Sequence, residues 1–174
     1  MAHPSARVAL AGEYLCASFL VQYCDSVIIA PEGHKSDLIL DHCGKLYRVQ
    51  VKTTNSVYKK DNQDYFRWDF RSSYDRKPKG ERYRSNDVDF FGLVALPRKF
   101  IFFLPLDSVT NSLAKRIDDL KTIDPVESLQ NTLNIVNQSP ILTPLDCEKF
   151  ALNLTLIIFF YQYNMHICTM KRTC

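Results

Sequence analysis

The chain reads as an α/β domain in which a mixed β-sheet is flanked by helices, and three features of its sequence predict this. An amphipathic stretch lies near the start, two alternating segments meet at a tight turn, and two almost continuous apolar runs follow. Residues 7–23 place Val8, Ala11, Leu15 and Phe19 on one helical stripe. Gly12 weakens such a helix, but it lets the backbone approach a sheet closely beside Glu13. The β-branched run Val27-Ile28-Ile29-Ala30 is stopped by Pro31 and predicts the first strand. Cys43-Gly44 then separates Ser36-Asp37-Leu38-Ile39-Leu40-Asp41 from Leu46-Tyr47-Arg48-Val49-Gln50-Val51-Lys52, which predicts a hairpin. Residues 90–96 and 100–104 are apolar and joined by Pro97-Arg98-Lys99, so they predict a buried hairpin that extends the sheet. Asp107-Ser108 suits the cap of a helix from about Val109, with Leu113 and Ile117 on its inner face.

Strand periodicity brings the chemistry together. Residues two apart share a face, so Gln50 and Lys52 project together while Val49 and Val51 face an apolar core. An antiparallel return carries Asp37 towards that pair. A carboxylate, a second oxygen ligand and a lysine at one sheet edge can hold a hard cation beside a phosphate.

Composition narrows the function classes. The chain has 174 residues, 46% of them hydrophobic, which is enough for one domain with a substantial core. The net charge is only +3, yet residues 58–84 hold nine Lys/Arg against five Asp/Glu, leaving the remainder slightly acidic. Such concentration suits a polyanionic partner. Within it Phe66, Trp68 and Phe70 take one strand face and read as core, while Tyr65, Arg67, Asp69 and Arg71 take the other. Residues 72–86 read as a flexible loop. Arg67 and Arg71 on a two-stranded ribbon could enter a major groove. Arg76, Lys77, Lys79, Arg82 and Arg84 suit phosphates, and the plain alternative is a solvated charged loop.

The cysteines Cys16, Cys24, Cys43, Cys147, Cys168 and Cys174 form no CxxC pair. The first residues lack a secretory pattern, so thiols in a reducing, intracellular setting (cytoplasm or nucleoid) are expected. The spacings of His42-Cys43 and of His166 with Cys168 match no usual zinc site. Residues 150–163 are apolar but interrupted by Asn153, Thr155 and Gln162, and are shorter than the roughly 20 residues of a spanning helix. A packed or subunit-contacting helix is expected there, with no membrane partner.

The order Gly12-Glu13-Tyr14 on a helix, then Pro31, Ser36-Asp37 and Gln50-Val51-Lys52, resembles the PD-(D/E)XK nuclease superfamily over residues 5–106. It is similar to Holliday-junction resolvases, and more closely to the homing endonuclease encoded in cyanobacterial tRNA introns, where glutamine also takes the middle motif position. The resemblance implies a restriction-endonuclease-like core at residues 1–121, with a β-hairpin DNA-binding insertion at about 58–87 and a helical extension at 122–174. It implies a Mg²⁺-dependent (or Mn²⁺-dependent) endonuclease acting on double-stranded DNA as a homo-oligomer, dimer or tetramer, of site-specific homing type. A resolvase, a restriction-like nuclease and a catalytically inactive DNA-binding module are the rivals. Asp37 corresponds to the motif aspartate, Lys52 to the motif lysine and Glu13 to the helix glutamate. Gln50 stands where most members carry an acid. The implied metal ligands are Asp37, Gln50, the Val51 backbone carbonyl and Glu13. Taken singly, Asp37 reads as a turn residue, Glu13 as a solvated helix residue, Lys52 as an edge-strand charge and Asp41 as a solvated acid at the hairpin end. In this order together, the first three favour a nuclease site.

Overall fold

The computed structural model describes residues 3–31, 33–70 and 83–137. Helix α1 (Pro4–Leu20) starts with proline in its first turn, where the missing N–H costs nothing, and the His3 side chain accepts from the Ser5 N–H. Five strands form the main sheet: β1 (Ser26–Ile29), β2 (Leu38–His42), β3 (Lys45–Thr54), β6 (Phe90–Ala95) and β7 (Phe100–Pro105). Their order is β1-β2-β3-β6-β7, antiparallel except for the central β3–β6 pair, which is parallel. A small antiparallel sheet of order β4-β5-β8 joins β4 (Tyr58–Lys60), β5 (Gln63–Asp69) and β8 (Ser112–Arg116). Helices α2 (Ile117–Leu120) and α3 (Pro125–Asn137) complete the described chain.

The alternation of the strands divides the core in two. Leu38, Leu40, Tyr47, Val49, Val51, Phe90, Val94 and Phe103 pack with Cys16 and Leu20 of α1 and Leu129 and Leu133 of α3. Phe91, Leu93, Ala95 and Phe102 meet Phe66, Trp68 and Phe70 from the small-sheet side. The aromatic row of β5 is therefore core, 0–2% exposed. The mixed sheet thus carries α1 and α3 on one face, while the small sheet, with Leu120 of α2, closes the other.

Two glycines bring α1 down onto the sheet. A Cβ on Gly12 would overlap Thr53 Oγ1 and stand 2.7 Å from Thr53 Cγ2 and 2.8 Å from its Cβ. A Cβ on Gly92 of β6 would stand 2.7 Å from Cys16 Sγ. The buried stripe of α1 is Gly12, Cys16 and Leu20; of the expected stripe, Leu15 and Phe19 pack against the core, while Val8 is half-buried and Ala11 is exposed.

Three expectations change. Residues 112–116 form strand β8 in place of the expected helix from Val109, because β5 offers a pairing edge, Trp68 opposite Leu113 and Phe66 opposite Lys115. Asp41 is not a solvated acid: β2 lies between β1 and β3, and the Asp41 Oδ1 is buried without a hydrogen-bond partner. The plain alternative for Lys52, an edge-strand charge, does not hold, since β3 is the middle strand of five. Helix α3 lies beyond the expected division at residue 121, and it packs into the core and receives the Phe103 N–H on Ser128 Oγ at 3.2 Å. The expected apolar helix at 150–163 lies outside the described residues. Among the described residues, no helix is long and apolar enough to cross a membrane.

Candidate active site

Asp37 stands immediately before β2 and is held from both sides. Its carbonyl accepts from the Ala30 N–H at 2.8 Å and its N–H donates to the Val49 carbonyl at 3.0 Å. The pairing of Leu38 with Val49 sets Asp37 opposite Gln50. The Asp37 Oδ2 accepts the Val51 N–H at 2.7 Å and the Gln50 side-chain amide. Gln50 is 7% exposed, so its amide is committed to this contact and presents N–H, not oxygen, to the carboxylate.

Lys52 lies on the same strand face as Gln50. Its Nζ donates to Tyr83 Oη at 2.9 Å and sits 4.8 Å from the centre of that ring. Burial lowers its pKa from the usual lysine value, opposed by the charges of Asp37 and Asp69. Burial pushes the Asp37 carboxyl up, against the Val51 N–H, the Lys52 charge and the Gln50 amide, which all lower it. Glu13 is raised too, by burial first and by the Asp37 charge second. Two half-buried carboxyls whose charged forms burial disfavours are oxygen donors of the kind that suits a hard divalent cation. Glu13 follows Gly12 on the same turn of α1 and is close enough for the Asp37 charge to act on it.

Tyr83 was not legible beforehand, since it lies among the charges of the basic segment with no periodicity to single it out. Its position follows from a clamp at the end of that segment. Arg48 on β3 donates to Asp89 at 2.8 Å and to the Ser85 carbonyl at 2.8 Å, and also reaches the Asn86 carbonyl. Lys35 holds Asp87 at 2.8 Å. The Tyr83 ring then meets Phe91 edge-on at 5.5 Å.

The basic residues divide. Arg67 is exposed on the outer face of β5, opposite Ala114, with Nη2 at 3.3 Å from Ser112 Oγ. Arg84 is exposed beside the clamp. Arg71, Arg76, Lys77, Lys79 and Arg82 lie outside the described residues.

A helix packed on a mixed sheet with a parallel central pair, and a carboxylate, an amide and a lysine at the open end of its β2–β3 hairpin, are the arrangement of a restriction-endonuclease-type nuclease core. The PD-(D/E)XK endonuclease family matches residues 20–137, well over half of the chain, and the chain belongs to that family. The matched span contains Asp37, Gln50 and Lys52 and runs to the end of α3; Glu13 precedes it. Among solved structures, the bacterial homing endonuclease I-Ssp6803I shares the fold with a TM-score of 0.54 and 18% identity, over 65% of this chain and 78% of that one. Comparison with curated proteins gave no match. The resemblance read from the motif order therefore holds for family and fold, and the protein is a nuclease of a family that generally uses divalent metals.

Proposed function

We propose that this protein is a divalent-metal-dependent endonuclease that hydrolyses phosphodiester bonds in double-stranded DNA, of the site-specific homing type. The observation that carries the reading is the convergence of Asp37, Gln50, Val51 and Lys52 at the open end of the β2–β3 hairpin. Asp37 and Glu13, with the Val51 carbonyl and the Gln50 amide oxygen, would hold Mg²⁺ or Mn²⁺, which when bound supplies positive charge to the scissile phosphate. Gln50 takes part as a ligand only after its amide turns over; in its present orientation it aims the Asp37 carboxylate. The Lys52 ammonium orients the attacking water and stabilises charge on the pentacovalent phosphorus. Tyr83 Oη, accepting from Lys52, fixes where that ammonium points.

Arg67 and Arg71 then meet base edges, while Arg76, Lys77, Lys79, Arg82 and Arg84 meet phosphates. Cutting both strands at one locus calls for a homo-oligomer, dimer or tetramer. Edge strand β1 leaves Ile28 58% exposed, which suits a subunit contact. A second reading, a catalytically inactive DNA-binding module, is favoured by one observation: Gln50 adds no negative charge and already donates to Asp37.

Incubation with plasmid and Mg²⁺, followed by mapping of the ends, decides between them. Asp37→Asn and Lys52→Ala are each expected to lower cleavage by about 100-fold or more while sparing DNA binding in Ca²⁺. Undiminished cleavage by either variant, or in excess chelator, would overturn the site. DNA binding by the wild type without cleavage in any divalent cation would select the inactive module.

A further inference from the structure

A second cluster of donor side chains occupies the other end of β2. Asp25, just before β1, His42 at the end of β2 and Cys43 in the hairpin turn each bring one ligand-type atom within 4.8 Å of the others. Five residues of strand separate them from Asp37, about 17 Å at 3.4 Å per residue. They therefore lie apart from the nuclease site.

We propose that Asp25, His42 and Cys43 form a zinc site that ties the β2–β3 turn to the segment following α1. The donors are a thiolate, an imidazole and a carboxylate, a set that selects Zn²⁺ over Mg²⁺ and contrasts with the all-oxygen site at Asp37. The Cys43 Sγ stands 3.8 Å from His42 Nε2. Two ligands of a tetrahedral zinc ion, at Zn–S of about 2.3 Å and Zn–N of about 2.05 Å, stand about 3.6 Å apart, so little movement is needed. Asp25 is already aimed, because its Oδ2 accepts the Cys43 N–H at 2.6 Å and leaves the second carboxylate oxygen for a cation. His42 shares the core-facing side of β2 with Leu38 and Leu40, which holds its Nε2 towards the Cys43 thiol. Three protein ligands leave a fourth position for water or for Cys24, next to Asp25 in the chain.

The turn chemistry points the same way. Cys43 and Gly44 have φ of 53° and 73°, the two left-handed positions of a type I′ turn. Asn, Asp or Gly is the usual first residue there, and a cysteine is conformationally strained. The thiol is thus placed where the backbone gains nothing from it.

Zn²⁺ affinity of the full chain is measured under reducing conditions by competition with a chromophoric chelator, alongside Co²⁺ spectra. The wild type is expected to bind zinc at this site and to show the thiolate-to-cobalt charge-transfer band of a tetrahedral complex. Cys43→Asn keeps a residue that favours the turn and should fold at least as well, so its circular dichroism and melting without metal serve as the folding control. Cys43→Asn, His42→Asn and Asp25→Asn should each weaken zinc binding by more than the roughly 10–100-fold that loss of an outer-sphere partner costs. Asp37→Asn should leave it unchanged, separating this site from the nuclease reading. Zinc binding unaltered in the Cys43→Asn and His42→Asn variants would overturn the proposal. So would a wild type that binds no zinc under reduction, including one that instead forms a Cys24–Cys43 disulfide on oxidation.

Discussion

Replacing Gly12 with alanine tests the link between helix seating and the site. Alanine alone should favour the helix by about 1 kcal/mol, since glycine in a helix interior carries that cost. The structure opposes this. The added methyl would overlap Thr53 Oγ1 and lie 2.7 Å from Thr53 Cγ2, and turning the threonine side chain relieves both contacts. The 2.8 Å contact with Thr53 Cβ is different, because that atom is fixed by the strand backbone. Restoring an ordinary separation of about 3.5 Å or more lifts α1 by at least about 0.7 Å. Overpacking of this kind costs roughly 1–3 kcal/mol, so the net expectation is a loss of up to about 2 kcal/mol. At roughly 2–4 °C per kcal/mol for a chain of this size, the melting temperature falls by several degrees. Glu13 moves with the helix, and misplacement by about 1 Å can lower turnover by about 100-fold. Thermal melting and plasmid cleavage are measured for Gly12→Ala, Thr53→Ala and the double variant. Thr53→Ala removes Oγ1 and Cγ2 but keeps Cβ, so the double variant should recover part of the loss, with a coupling of about 0.5–3 kcal/mol. A Gly12→Ala protein that is more stable than wild type, with unchanged cleavage, would refute the close seat of α1.

Gln50→Glu adds a negative ligand, so the Mg²⁺ midpoint should move to lower concentration; an unmoved midpoint in a metal titration would show that this side chain does not meet the cation. Tyr83→Phe removes the acceptor of the Lys52 ammonium but keeps the ring against Phe91, so cleavage should fall about tenfold or more with melting little changed; full activity would remove Tyr83 from the site. Asp37 and Glu13 are raised in the fold, so the metal-free protein binds protons more tightly than the unfolded chain. Its stability should therefore fall as pH rises from the ordinary carboxylate range through their raised values. Asp37→Asn should lessen that fall and melt higher than wild type in chelator at neutral pH, a ranking reversed by Mg²⁺; wild-type melting that climbs with pH across the window would contradict it. Arg67→Ala should weaken binding to a cognate site by about 1–3 kcal/mol more than binding to random DNA, and equal losses on both would assign Arg67 to phosphate.

Much of the fold was legible because its signals are local. The helix, the Cys43-Gly44 turn and the two apolar runs each declare themselves within about ten residues. Asp37, Gln50 and Lys52 could be placed together because one two-residue turn sets the register of both strands. Leu113 and Ile117 misled because a spacing of four fits a helix stripe, and nothing nearby reveals that β5 waits some 45 residues upstream. A separation of 31 residues likewise hid Tyr83, which reaches Lys52 where Arg48 and Lys35 clamp the returning chain. The spacing of His42 and Cys43 matches no usual zinc site, and Asp25, whose carboxylate lies within 4.8 Å of both, comes from a different element. Side chains that converge through sheet order alone leave no periodic trace.

Trp68 is the chain's one tryptophan, and its indole N–H donates to the Val94 carbonyl at 3.0 Å while its ring meets Phe102 edge-on at 5.5 Å. Tryptophan emission, excited selectively over the nine tyrosines, therefore comes from a single point, the seam between the two sheets, on the face of the main sheet away from α1. A blue-shifted spectrum reports that this seam is closed and dry. Lifting α1 should leave the colour unchanged until the whole domain melts, whereas prying the β4–β5 ribbon from Val94 should redden it first. One fluorophore thus reports on that seam without a label.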